Sequence, residues 1–296
     1  MKIDFIKMHG AGNDYVYIDL VDAHARNRLS RVDFGDLATK ISSRHFGVGG
    51  DGLVLMLPSR TADCRMRMFN SDGSEAEMCG NAIRCVGKHI YDRGYFRKKN
   101  LAVETLAGIK RLFIVGRGGS GKESLVKVDM GFPFLKGKDI PIGVEQEPVV
   151  GVPLEGRRGT AVGMGNPHIV FFVNEITDRQ VLEDGPKIER HPLFPRKTNV
   201  EFVQVLDRKK IRMRVWERGA GETLACGTGA CASVVAAVLN GLTDRIVDVH
   251  LTGGVLNVEW DERSGAVFMT GPAAVVFTGV YHYSPPGCTL EGAGFA

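Results

Sequence analysis

The sequence predicts an α+β fold of two similar halves, and three observations carry that prediction. Residues 66–80 read MRMFNSDGSEAEMCG and residues 213–227 read MRVWERGAGETLACG. A shift of 147 positions superposes Met66-Arg67 on Met213-Arg214, Glu75 on Glu222 and Cys79-Gly80 on Cys226-Gly227. Period-2 alternation with β-branched and aromatic residues recurs along the chain, so strands dominate. The few helical stretches do not alternate regularly with strands, which argues against a doubly wound parallel sheet.

The elements follow in chain order. Gly10-Ala11-Gly12-Asn13 is a turn before a strand at Tyr15–Leu20, and a helix is predicted over about 34–44. Strands at Gly52–Leu57 and Arg65–Phe69 precede the first cysteine segment, which leads into a helix over 80–93. The run Gly116–Lys122 resembles a phosphate-binding loop, but Glu123 stands where that motif needs Ser or Thr. Leu125–Val128 then reads as a strand where the motif needs a helix, so the run is expected to be a hairpin loop.

The second half repeats this order. Gly163-Met164-Gly165-Asn166 precedes a strand at Ile169–Val173, as the earlier glycine turn precedes its own. A helix over 176–184 and strands at Val200–Val205 and Ile211–Trp216 lead to the second cysteine segment and a helix over 227–240. Thr105–Gly108 pairs with Thr252–Gly254 in the repeat, and Met130–Pro133 with Met269–Pro272. The division falls in the Pro- and Gly-rich stretch 133–155, giving an N-terminal half 1–133 with Cys79 and a C-terminal half 134–273 with Cys226. A last strand near 274–283 is expected to return to the first half, and residues 284–296 to form a disordered tail.

Composition narrows the function. At 296 residues the chain buries a substantial core. A net charge of +4 is mild, and the runs Arg97–Lys99 and Arg208–Lys210 sit in turns without interleaved aromatics. Nucleic acid is therefore not an expected partner. Lys2, Asp4 and Lys7 interrupt any secretory leader, and no apolar run reaches the roughly 18–20 residues of a membrane helix. The expected location is the cytoplasm, with no membrane partner. The six cysteines, Cys64, Cys79, Cys85, Cys226, Cys231 and Cys288, contain no CxxC pair, so neither disulfides nor a metal site is expected.

Two of those thiols occupy a position suited to chemistry. Cys79 and Cys226 each stand just before a helix start, with Asn81 and Thr228 as suitable capping types. Free backbone N–H groups and the positive end of the helix dipole favour an anion there. Thiols in such settings have pKa values of roughly 3.5–7.5, against about 8.5 when free. The adjacent Gly80 and Gly227 let backbone N–H groups approach a bound carboxylate. Two thiols on opposite faces of one carbon are what inversion of a stereocentre requires. Cys85 and Cys231 lie further into their helices and are expected to face a core. Cys64 is expected in a loop, and Cys288 in the tail.

Five strings in order resemble the diaminopimelate epimerase family: HGAGNDYVYID at 9–19, FNSDGSEAEMCGNAIRC at 69–85, GNPH at 165–168, TNVEF at 198–202 and ERGAGETLACGTGA at 217–230. The resemblance spans residue 1 to about 280. It implies two pseudo-symmetric domains, each a β-barrel-like sheet around a central helix, with the active site in the cleft between them. It implies a cofactor-independent, commonly homodimeric enzyme that converts LL-2,6-diaminoheptanedioate to the meso isomer for lysine and peptidoglycan synthesis. Cys79 and Cys226 become the acid/base pair. Asn13, Asn70, Gly80, Asn81, Asn166, Asn199, Glu217, Arg218, Gly227 and Thr228 become substrate contacts, and His168 and Glu217 tune the thiols. Ala82 and Gly52 depart from the family pattern, and no side-chain contact is expected at Gly52. Two other readings stay open: a proline- or histidine-type racemase on the same scaffold, and a non-catalytic binding or thiol-redox protein.

Overall fold

A computed structural model of the chain describes residues 1–117 and 123–285. The first half contains β1 (Lys2–Gly10), β2 (Asn13–Asp19), α1 (Ala23–Arg28), α2 (Phe34–Ser42), β3 (Gly52–Leu57), β4 (Cys64–Asn70), β5 (Glu75–Ala76), α3 (Gly80–Asp92), β6 (Asn100–Thr105), β7 (Gly108–Arg117) and β8 (Glu123–Gly131). The second contains β9 (Val152–Leu154), β10 (Arg157–Gly163), β11 (Pro167–Phe172), α4 (Gly185–Glu189), β12 (Asn199–Asp207), β13 (Lys210–Glu217), β14 (Gly221–Glu222), α5 (Gly227–Leu239), β15 (Ile246–Leu251) and β16 (Gly254–Trp260). The long β17 (Val267–His282) follows. The helix expected over 176–184 is instead a π-helical turn, Arg179–Asp184, running into α4.

Strand pairing closes the first half into an eight-strand barrel, β1-β2-β3-β4-β6-β7-β8-β17 and back to β1. The second half repeats the pairing order, β9-β10-β11-β12-β13-β15-β16 and on to β17, but among the described residues β9 pairs only with β10 and the ring is not closed. The parallel pairs β2/β3 and β4/β6 of the first half correspond to β11/β12 and β13/β15 of the second. The short hairpin partners β5 and β14 correspond likewise. β17 serves both halves, because Val267–Ala274 pairs with β8 and Ala274–His282 with β1, both of the first half, while Val267–Thr270 pairs with β16 of the second.

Each half is built around its own 13-residue helix. α5 suits that place, being Gly, Ala, Val, Cys and Ser through most of its length, and it is buried on all sides. α3 is stranger: buried from Gly80 to Ile90, it carries Arg84, Lys88 and His89 inside. Lys88 reaches Asp92 at 2.5 Å and His89 reaches Asp19 at 2.8 Å, so those two polar heads have acidic partners. Cys85 and Cys231 are fully buried, and burial pushes their thiols up to about 11 and about 12. They are packing residues. Cys64 is not in a loop but opens β4, buried against the core, because its side chain alternates inward with Met66 and Met68.

The halves touch where Gly253 meets the first glycine turn. A Cβ at Gly253 would lie 2.0 Å from the Ala11 carbonyl oxygen and 3.1 Å from that of Leu224. Backbone cannot yield as a flexible side chain would. Gly253→Ala is therefore expected to destabilise the protein by about 1–3 kcal/mol, the range for overpacking. Urea unfolding of the two proteins checks it, and an unchanged midpoint would refute the contact.

No helix among the described residues is long and apolar enough to cross a membrane. Residues 118–122, which include most of the expected hairpin loop, and 286–296, which include Cys288 and most of the expected tail, lie outside the described residues.

Candidate active site

The duplication places equivalent residues at one opening between the halves. Cys79 and Cys226 are themselves the N-caps of α3 and α5, which start at Gly80 and Gly227. Asn81 and Thr228 fall within the first turn instead of capping it. Both cysteines line one cleft of about 1890 Å³. Asn13, Asn70, Gly80, Asn81, Asn166, Glu217, Arg218, Gly227 and Thr228 line it too.

The two sulfurs have different neighbours. Cys226 is buried, accepts from the Gly229 N–H at 3.4 Å and lies 3.5 Å from the Thr228 hydroxyl. Thr228 accepts from the Asn166 amide at 3.3 Å, and the Asn166 carbonyl oxygen faces His168 Nε2 at 3.0 Å. Cys79 stays partly exposed to the cleft, and its sulfur lies 3.4 Å from the Asn13 carbonyl oxygen. The Asn13 amide donates to Asp51 at 2.6 Å, fixing which way the side chain faces.

The thiols differ from the expectation of depressed pKa values. Burial pushes Cys79 up, and Glu217 adds to that, while the N–H groups of Ala82 and Asn81 and the Arg84 guanidinium pull it down. Burial pushes Cys226 well up, reinforced by Glu217 and Glu201, against smaller help from Thr228 and Gly229. The helix starts do favour an anion, but removing a thiolate from water costs more than one capping interaction returns.

The remaining expected residues sort by position. Glu217 lies at the end of β13, where the Thr223 hydroxyl donates to its carboxylate. Arg218 is exposed at the cleft, its Nη1 donates to the Arg196 carbonyl at 3.2 Å, and among the described residues it forms no ion pair. Asn70 donates to the Ser74 hydroxyl at 3.0 Å on the cleft rim. Two expected residues are not on the cleft wall. His168 is fully buried behind it, its Nδ1 2.6 Å from Glu201. Asn199 is buried as well, accepting from the Arg218 backbone N–H at 2.7 Å and donating to the Pro167 carbonyl at 3.2 Å. As it stands, Asn199 positions Arg218 instead of facing a ligand. Gly52 has no room for a side chain, since a Cβ there would lie 2.1 Å from the Phe69 carbonyl oxygen.

Sequence reasoning missed Glu201 and Arg84, both fully buried. The signal for Glu201 was an acid within the apolar strand Val200-Glu201-Phe202-Val203. For Arg84 it was a cation between Ile83 and Cys85 in a helix that proves to have no solvent face.

A closed eight-strand barrel and a similarly paired second half, each built around a buried helix whose cap is a cysteine, define the racemase/epimerase-type fold. A probable proline racemase from Agrobacterium radiobacter K84 has it, with a TM-score of 0.63 at 17% identity over 99% of this chain and 96% of that one. So does a phenazine biosynthesis protein of the PhzF family from Bacillus anthracis, with a TM-score of 0.63 at 18% identity over 95% and 99%. The sequence pattern of diaminopimelate epimerase matches residues 5–135 and 160–276. The diaminopimelate epimerase of Acetivibrio thermocellus is 54% identical over 279 residues, 93% of this chain and 97% of its own. That of Desulfitobacterium hafniense is 55% identical over 285 residues, 94% and 98%. The chain belongs to the diaminopimelate epimerase family, and it is an isomerase.

Proposed function

We propose that this protein inverts one α-carbon of LL-2,6-diaminoheptanedioate to give the meso isomer, by a two-thiol mechanism without a cofactor. The observation that carries the reading is the pair of cysteines, capping twin helices on one cleft. In one direction a thiolate takes the α-proton, the C–H electron pair remains on carbon, and the opposite thiol delivers its own proton to the other face. The first sulfur ends as thiol and the second as thiolate. The reverse reaction exchanges the roles.

An α-proton beside a carboxylate is a very weak acid, so the carbanion needs donors already in place. The N–H groups of Gly80-Asn81 and Gly227-Thr228 suit the reacting carboxylate. Arg218, whose guanidinium at the cleft forms no ion pair among the described residues, suits the distal carboxylate, which it can grip in a bidentate manner. Asn13, Asn70, Asn166 and Glu217 suit the ammonium and carboxylate groups. His168, through Asn166 and Thr228, and Glu217, through its charge, bias which sulfur is ionised. Asn199 enters through its bond to Arg218. A proline- or histidine-type substrate has no distal amino-acid group for Arg218 to hold.

Incubation with LL-diaminoheptanedioate in deuterated water tests the reading. The meso product should carry solvent deuterium at the inverted carbon, while L-proline and L-histidine remain unlabelled. Labelled proline with unlabelled diaminoheptanedioate would transfer the reading to the racemase alternative.

We further propose that the enzyme is cytoplasmic and homodimeric. The outer part of β17 supports a dimer, for it exposes Val275, Val276, Phe277 and Val280. Its edge away from β1 has no strand partner there among the described residues, a ready template for a second copy. Sedimentation equilibrium should give twice the 32.2 kDa chain mass, falling to the chain mass on Val276→Lys.

A further inference from the structure

Arg84 is the largest fully buried side chain among the described residues. Its partners are all neutral: Nε donates to the Pro272 carbonyl at 3.2 Å, Nη1 to the Gly80 carbonyl at 3.2 Å and Nη2 to Asn81 Oδ1 at 2.9 Å. Nη1 also lies 3.7 Å from the Met269 sulfur. Among the described residues no carboxylate pairs with it. The barrel wall leaves room for it by two glycines, since a Cβ on Gly10 would lie 2.9 Å from Nη2 and one on Gly271 3.1 Å from Cζ. A buried cation without an anion is costly, and neutral acceptors offset that cost only in part.

Its surroundings indicate which anion it faces. The guanidinium folds back along α3 onto the first turn, where Cys79 is the cap. Asn81, bonded to Arg84, also donates to the carbonyl of Ala225, the residue before Cys226, at 3.0 Å. The shift that superposes Cys79 on Cys226 puts Cys231 at the position of Arg84, so only one half carries a cation.

We propose that Arg84 is the buried counter-cation of the Cys79 thiolate and the residue that makes the two pseudo-symmetric thiols unequal. It acts through Cys79, as a positioning residue, and the inference rests on the two-thiol reading above. The groups facing these centres are consistent with it. The titratable groups whose charge would act on Arg84 are Cys85 of α3, its cap Cys79, Tyr17 of β2 and Cys231 of α5, and burial keeps Cys85, Tyr17 and Cys231 neutral. Cys79 faces Tyr15 and Glu217 besides Arg84, whereas Cys226 faces Glu217 and Glu201. Glu217 is common to both sulfurs, so the difference between them is the Arg84 cation on the side of Cys79 and the Glu201 carboxyl group on the side of Cys226.

Alkylation by iodoacetamide between pH 6 and 11, without substrate, tests the proposal with Cys79 and Cys226 peptides resolved by mass spectrometry. In the native protein Cys79 should reach its plateau rate at lower pH than Cys226. Arg84→Gln should move the Cys79 midpoint up by about one unit or more, the effect of removing a neighbouring opposite charge, and move Cys226 less. Arg84→Lys, which keeps the charge, should leave the midpoint within about half a unit of native. Prior ionisation of Cys226 in the native protein would overturn the proposal, as would an unmoved Cys79 in Arg84→Gln. If Arg84→Gln does not fold, the native order and Arg84→Lys still decide, since a Lys midpoint raised by about a unit removes the role of charge. Because no turnover is read, a failure here is distinct from a failure of the deuterium experiment.

Discussion

Replacing either Cys79 or Cys226 by serine should lower kcat for diaminoheptanedioate by about 10²–10⁴-fold, the usual contribution of a positioned acid or base. Serine keeps the shape and the hydrogen-bonding capacity of the side chain, but its hydroxyl neither ionises nor exchanges protons as a thiol does. Stability should move the other way, or not at all. Both cysteines are helix N-caps, a position where serine is among the preferred residues. Thermal unfolding should therefore show a midpoint equal to or above that of the native protein. The combination matters because a merely structural cysteine would give the reverse, with activity retained and packing disturbed. Turnover within tenfold of native in either variant would end the two-thiol mechanism. A thiol-redox protein would also differ in requiring a disulfide between the two residues during its cycle.

The second large effect is on pH. Productive enzyme holds one thiolate and one thiol, so kcat/KM should rise as the first proton leaves and fall as the second does. Burial pushes both thiols above their ordinary value. The acid limb of the free enzyme should accordingly have its midpoint at or above about 8.5, the value of an unperturbed thiol. Activity at neutral pH then comes from a minority ionised form and increases about tenfold per unit on moving upward. Titration of the substrate ammonium falls on the alkaline limb, so the acid limb carries the test. An acid limb centred near 6 would mean that the helix starts prevail over burial, contrary to the balance of forces in the cleft.

Much of the site was legible before any coordinates. The repeat, the glycine turns, both cysteine helices and the strand before each cysteine are local patterns, and they appear where periodicity and turn chemistry place them. α3 begins at Gly80 and α5 at Gly227, one step earlier than the capping types Asn81 and Thr228 suggest. The cysteines take the cap because their own backbone is extended, φ −132° and ψ 125° at Cys79 and φ −112° and ψ 111° at Cys226, while the next residue is already helical. Cys64 was harder. Only its pairing beside β6 and its inward phase in β4 make it a core residue.

His168 and Asn199 show another kind of limit. Their motifs mark them as important, yet both stand behind the wall they support, bonded to Asn166 and to the Arg218 backbone. Motif strings report which residues act together. They do not report which of them faces the ligand, because that depends on how far each strand is set back from the opening.

Sequence by itself determined the duplication, the element order and the two thiols at helix starts, since these follow from short-range spacing, propensity and capping. Tertiary structure alone decided that β17 is shared, that α3 has no solvent face and that Arg84 lies buried without an acid. It also decided the sign of the thiol shifts. Burial is a property of what closes around a residue, and the strands that close around α3 come from positions as distant as Lys2 and Ala274. Desolvation, the largest influence on both sulfurs, therefore has no signature in the residues adjacent to them.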